Sequence, residues 1–256
     1  MQILLKIRVL FFVTTLCILF GCSERLPFSE ENGYPVTIIK PVIFVGESFV
    51  GPITKAQTER LMNLQVSLGG NNNPEGYIFL ADKNGKRIRT TTSTEYLEAK
   101  NKGAVTTTTF DISMASWFRQ AAGILKFVRA SKPSKQSQWT DEVLETLPVT
   151  LLNWVGSEER EQHEKDAANG ISLKSYMEKG EIKQWQSNSN KLSFSHSGVA
   201  YNIEILAKGD HDNDLHEDLL VMVSYYYEGG SGRGYNLHVI SKSGPSVTRQ
   251  VAFEIR

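Results

Sequence analysis

The last 66 residues most restrict what this chain can become. Five runs rich in β-branched and aromatic residues, Lys191–Phe194, Gly198–Ala207, Leu219–Tyr227, Tyr235–Lys242 and Val247–Ile255, follow one another with short polar breaks. Such runs bounded by Gly, Ser, Asn and Asp read as strands, and their close succession predicts an antiparallel meander. Upstream, strand-like and helix-like segments alternate. Val36–Val45 is β-branched and divided by Pro41, which reads as two short strands or one edge strand with a break. Leu61, Leu64 and Leu68 recur at helical spacing behind Thr54, a plausible cap, and Gly69–Pro74 closes that segment as a loop. Tyr77–Ala81 and Lys86–Thr92 flank Asp82-Lys83-Asn84-Gly85, a hairpin turn signal.

Ala104–Phe110 reads as a further strand. A helix over Ser113–Ala130 then places Met114, Trp117, Phe118, Ala121, Leu125 and Val128 on one face. Lys126, Arg129, Lys132 and Lys135 gather at its end, where cations suit the helix dipole. Ser131–Gln138 is the best internal linker candidate. Trp139–Val155 is apolar and interrupted by Pro148. Ser157 reads as the cap of a polar surface helix that Gly170 stops. The fold class is therefore α+β, with a mixed N-terminal part and a C-terminal antiparallel meander. The layout is residues 1–21 as a signal peptide, 22–34 as a tether, and subdomains over 35–132 and 139–256, with a single body as the alternative.

Apolar residues make up 40% of the 256 and charged residues 22%, which supports a packed core rather than disorder. Lys+Arg and Asp+Glu both number 28, so no strong field favours nucleic acid. Cysteine occurs only at Cys17 and Cys22, which leaves the body without an internal disulfide or thiolate metal site.

Those cysteines belong to an address. Lys6 and Arg8 precede an apolar run from Val9 to Phe20, about 12 residues, too short to span a hydrocarbon core. This is the layout of a secretory signal peptide. Leu19-Phe20-Gly21-Cys22 at its end resembles the lipobox of bacterial lipoproteins, with Phe20 bulkier than usual. The resemblance implies a diacylglyceryl (and often a palmitate-type acyl) modification of Cys22, cleavage before it, and anchoring in the cell envelope. Ser23 at the next position leans towards the outer membrane, facing the periplasm. An uncleaved N-terminal anchor is the alternative. The mature chain would carry 26 basic and 28 acidic residues, a soluble body on a lipid leash.

The motif with the most chemistry is Gly209-Asp210-His211-Asp212-Asn213-Asp214-Leu215-His216-Glu217-Asp218, set between two strand runs. Asp210, Asp212, Asp214 and Asp218 take positions 1, 3, 5 and 9, and the backbone carbonyl of His216 takes position 7. Calcium accepts six to eight oxygens, and a tight loop delivers alternate side chains to it. The spacing resembles the DxDxDGxxD calcium loop of FG-GAP repeats, which joins two antiparallel strands. Leu215 departs from the glycine usual at position 6, at a cost of roughly 1–2 kcal/mol for a left-handed residue. Val221 at position 12 argues against an EF-hand, and a single copy excludes a propeller. An empty acidic turn, or another metal through His211 and His216, remains open.

Elsewhere the motifs are weak. Gly229–Gly234 lacks the Lys-Ser/Thr of a phosphate loop and reads as a flexible hairpin connection beside Tyr225-Tyr226-Tyr227. His163 lies on the polar helix, His196 near a turn and His238 in a strand; no HExxH or nucleophile motif occurs. The expectation is a lipid-anchored envelope protein with a non-catalytic binding or assembly role and a structural calcium ion. Its partner would be an envelope protein or polymer. The alternative is a carboxylate- or metal-dependent hydrolase acting on envelope polymers.

Overall fold

The computed structural model describes residues 33–68, 76–137, 139, 143–153, 156–230, 232–243 and 247–253. The expected signal, the lipobox-like Leu19–Cys22 and the loop expected at Gly69–Pro74 lie outside them. Gly33–Arg256 forms one compact unit.

A large antiparallel sheet organises this unit. Its long path runs β10 (Val247–Ala252), β9 (Arg233–Ser243), β8 (Asp218–Tyr227), β7 (Val199–Gly209), β1 (Thr37–Phe44) and β2 (Glu47–Pro52). β7 is 11 residues long and shares its second edge between two partners. Its first half pairs with β6 (Lys191–His196), from Val199↔His196 to Glu204↔Lys191, and β5 (Ile182–Asn188) pairs beyond β6. Its second half pairs with β1 through Ala207↔Ile38 and Lys208↔Thr37. The N- and C-terminal halves of the sequence thus share one sheet.

Side-chain parity gives the sheet two packed faces. On β8, Leu220 and Met222 face one core while Leu219, Val221 and Val223 face the other. Burial on both faces explains why that strand reads as an unbroken apolar run rather than an alternation. The first core is capped by α1 (Lys55–Met62), α2 (Ser93–Asn101) and α3 (Thr109–Ala130), whose Phe118, Leu125 and Phe127 are fully buried. The second is covered by two 3-10 turns, Val143–Thr146 and Val149–Leu151, and by α5 (Leu173–Glu178). α4 (Ser157–Ala168) lies beside it.

Local chemistry sets the ends of these elements. Thr54 caps α1 in a reciprocal box with Gln57, and Thr92 does the same for α2 with Glu95. The hairpin of β3 (Ile78–Ala81) and β4 (Arg87–Thr90) turns through Asp82–Gly85, with the Asp82 carboxylate accepting the Asn84 and Lys86 N–H groups at 2.8 Å. α2 and β5 are not among the elements expected from the sequence pattern. The expected strand at Ala104–Phe110 is absent: only Val105 bridges, to Ala81, and Thr108 caps α3, which begins four residues before Ser113. The Thr108 hydroxyl accepts the Asp111 N–H at 3.0 Å, so this polar Thr-rich stretch serves as a helix start. Gly156, not Ser157, takes the cap position of α4.

The segment 131–137 is stitched down by backbone pairing. Lys132 bridges Asp210, Ser134 bridges Tyr34, and Gln136 bridges His216. Gly33 lies against it at φ +74°, and a Cβ there would stand 2.3 Å from the Ser134 carbonyl oxygen, so only glycine fits this crossing.

Candidate functional site

The acidic loop connects β7 to β8, and α3 and the segment after it hold it in place. Lys132 and Asp210 exchange backbone hydrogen bonds at 2.8 and 2.9 Å, and the Leu215 carbonyl accepts the Lys135 and Gln136 N–H groups. Glu217 is buried. Its carboxylate accepts the Ser137 hydroxyl at 2.9 Å and faces Lys208 at 3.8 Å, while its carbonyl accepts the Trp139 indole N–H. Glu217 is therefore tied to the flanking segment. From below, Phe127 stacks on the His211 ring at 5.0 Å and 10°, and Phe253 meets both rings edge-on.

Within the loop, backbone N–H groups converge on the carboxylates. Asp210 accepts the Asp214 and Leu215 N–H groups at 3.1 Å each. One oxygen of Asp218 accepts the His211 and Asp212 N–H groups at 2.7 and 3.3 Å. Asp214 accepts the His216 N–H at 2.8 Å. To reach these bonds, Asn213 and Leu215 adopt φ of +66° and +75°. Leu215, half-exposed, thus sits in the left-handed region that glycine usually fills.

Three of the candidate ligands come together: Asp210, Asp212 and Asp218 each present an oxygen, and the three lie within 4.8 Å of one another. Asp210 and Asp218 are fully buried and Asp212 is exposed. The Asp214 carboxylate and the His216 side chain are not in this group. The second oxygen of Asp218 is buried without a hydrogen bond of good geometry. Burial pushes the Asp218 carboxyl up to about 6, and Ser241 and the two loop amides only partly offset it. A buried carboxylate oxygen in this position, beside two other carboxylates, suits a cation. The group is able to hold a metal ion.

A second cluster was not assembled by sequence reading. Glu159 and His163 occupy one face of α4, four residues apart, and His196 ends β6. Their ligating atoms also lie within 4.8 Å of one another. His163 is 3% exposed and His196 8%, while Glu159 is half-buried. His196 Nδ1 stands 3.0 Å from the Glu181 carbonyl, which only accepts, so Nδ1 carries the proton and the Nε2 lone pair is left over. His163 Nδ1 is buried with no hydrogen-bond partner, an arrangement that costs about 1–3 kcal/mol when nothing fills it. Burial lowers the pKa of His163, which keeps its imidazole neutral. Tyr176 packs against both imidazoles at 6.0 and 5.6 Å and donates its hydroxyl to Asp166 at 2.7 Å.

An apolar cleft of about 240 Å³ opens between β1 and α3, lined among others by Pro41, Val42, Ile43 and Trp117. Among the described residues no helix is long and apolar enough to cross a membrane. The chain matches no family model, no curated protein and no solved structure.

Proposed function

We propose that this protein is a non-catalytic binding or assembly factor of the bacterial cell envelope, lipid-anchored through Cys22, with one calcium ion clipping the β7–β8 hairpin. One observation carries the calcium assignment. Asp210, Asp212 and Asp218 converge within 4.8 Å, and one of the Asp218 oxygens is buried without a satisfactory donor. The donors are all oxygens, the ligand class of a hard cation. The exposed Asp214 carboxylate and the His216 carbonyl are near enough in sequence to complete the sphere. Lipid anchoring rests on the signal-like stretch and on Leu19–Cys22.

Thermal melting of the full-length chain in EGTA and in millimolar calcium tests the clip. Calcium at 100 times its dissociation constant adds about 2.7 kcal/mol, a rise of roughly 5–11 °C for a body of this size. Asp212→Ala, an exposed position with little packing to lose, abolishes the rise. An equal melt in both buffers, with no metal in the purified protein, would reduce the loop to an empty turn. The anchor is checked separately by fractionation: wild-type protein sediments with membranes, and Cys22→Ser is released to the soluble fraction. Soluble wild-type protein would remove the envelope reading.

A further inference from the structure

The geometry points to a second metal site, distinct from the acidic loop: Glu159, His163 and His196 form a three-ligand site for a zinc-class divalent cation. Five observations converge on it. The ligands come from two separate elements, α4 and the end of β6, yet their donor atoms gather within 4.8 Å. Tetrahedral zinc at 2.0–2.1 Å sets its donors about 3.3 Å apart, so closing on an ion needs a contraction of at most about 1.5 Å, within the reach of side-chain torsions. Glu159 and His163 are four apart on α4, the spacing that stacks two side chains on one helical face.

Next, the imidazoles are arranged as ligands rather than as packing. His196 gives its Nδ1–H to the Glu181 carbonyl at 3.0 Å, the outer-shell hydrogen bond that orients a coordinating imidazole and leaves Nε2 to the ion. His163 is 97% buried, and its Nδ1 has no partner, although a histidine placed only for packing would satisfy that nitrogen. Tyr176, held by its bond to Asp166, braces both rings from one side.

The donor set decides the class of ion. Two imidazoles and one carboxylate match zinc and its d-block neighbours, not calcium, which takes oxygens. The two candidate sites therefore differ in chemistry and are separable. Three protein ligands leave a further position for water or another small donor. The site does not depend on the calcium reading.

The test is zinc binding to the full-length, chelator-stripped chain, by competition with a chromophoric chelator, followed by cobalt substitution. The expected result is one zinc per chain and a visible cobalt absorption of tetrahedral type. His196→Ala abolishes both. Glu159→Gln, on a half-exposed helix face with little to unfold, weakens zinc at least about tenfold with an unchanged circular dichroism spectrum. Asp212→Asn leaves zinc binding as in wild type. Failure of natively folded wild-type protein to bind zinc overturns the assignment. So does wild-type affinity in Glu159→Gln and His163→Asn, and so does loss of zinc in Asp212→Asn, which would place the ion in the acidic loop instead.

Discussion

Phe127→Ala is expected to destabilise the protein by about 3–5 kcal/mol, the usual cost of emptying a large aromatic site in a packed core. Phe127 is completely buried on the sheet-facing side of α3. It also carries the floor of the acidic loop, with its ring stacked on His211 at 5.0 Å and Phe253 closing the edge at 6.4 Å. The cavity would sit under the loop that carries Asp210, Asp212 and Asp218. The melting temperature should fall by roughly 6–20 °C. Any calcium-dependent rise should shrink with it, because Asp210 and Asp218 lose the surface that fixes their approach. Phe127→Leu, which keeps most of the volume, should cost less than about 1.5 kcal/mol. Calorimetry of the three proteins decides the matter. A loss below about 1 kcal/mol in the alanine variant would mean that α3 does not pack on the sheet in this way.

The second large effect is expected in acid. His238 lies on β9 opposite Val221. Burial, reinforced by the Arg119 guanidinium, holds its pKa down at about 4 against an ordinary 6.5. The folded state thus keeps this imidazole neutral while the unfolded chain takes up a proton near 6.5. The stability it supports is complete above pH 6.5 and is lost as the pH falls from 6.5 to 4. The full loss is roughly 3 kcal/mol, with a slope of at most about 1.4 kcal/mol per pH unit. His163 and His211, also lowered by burial, act in the same direction. Asp218, raised to about 6, acts in the opposite one: folded Asp218 holds its proton below that point, and that contribution disappears as the pH rises. These effects are common to wild type and His238→Phe and cancel in their difference. Urea midpoints between pH 7 and 4 should show the wild-type curve falling more steeply. Parallel curves would show that His238 is as solvated in the folded state as in the unfolded one.

Much of the sheet was legible because strand runs report burial locally. Each of the five C-terminal runs became a strand, with β-branched residues and flanking turn residues acting over a few positions. The caps at Thr54 and the turn at Asp82–Gly85 were legible for the same reason, since a cap or turn is decided within four residues. The helix Ser93–Asn101 carried such a signal too: Thr92 and Glu95 stand at capping-box spacing. Its apolar residues are few and form no clear stripe, so periodicity does not mark it as a helix. In the stretch 104–110 β-propensity points to a strand, but its threonines serve the start of α3.

The candidate sites divide along the same line. Asp210, Asp212 and Asp218 lie within nine residues, so their convergence was written in their spacing, and the hairpin only had to close. Spacing did not say that Asp214 would lie outside the group of three, nor that Glu217 would be drawn to Ser137 and Lys208. Those outcomes depend on the segment 131–137 passing alongside the loop. Glu159 and His163 stand four apart on one helix, but His196 lies 33 residues further on, and no local spacing joins it to them.

The amino-acid order alone determined what acts over a few residues: the C-terminal strands, the Thr54 cap and the acidic loop. The tertiary structure alone decided that β1 joins β7, that β8 is buried on both faces, and that His196 meets α4. Each of those contacts joins positions far apart in the chain. Such pairings are chosen by how the whole sheet buries its two apolar faces, and no local pattern of residues encodes that choice.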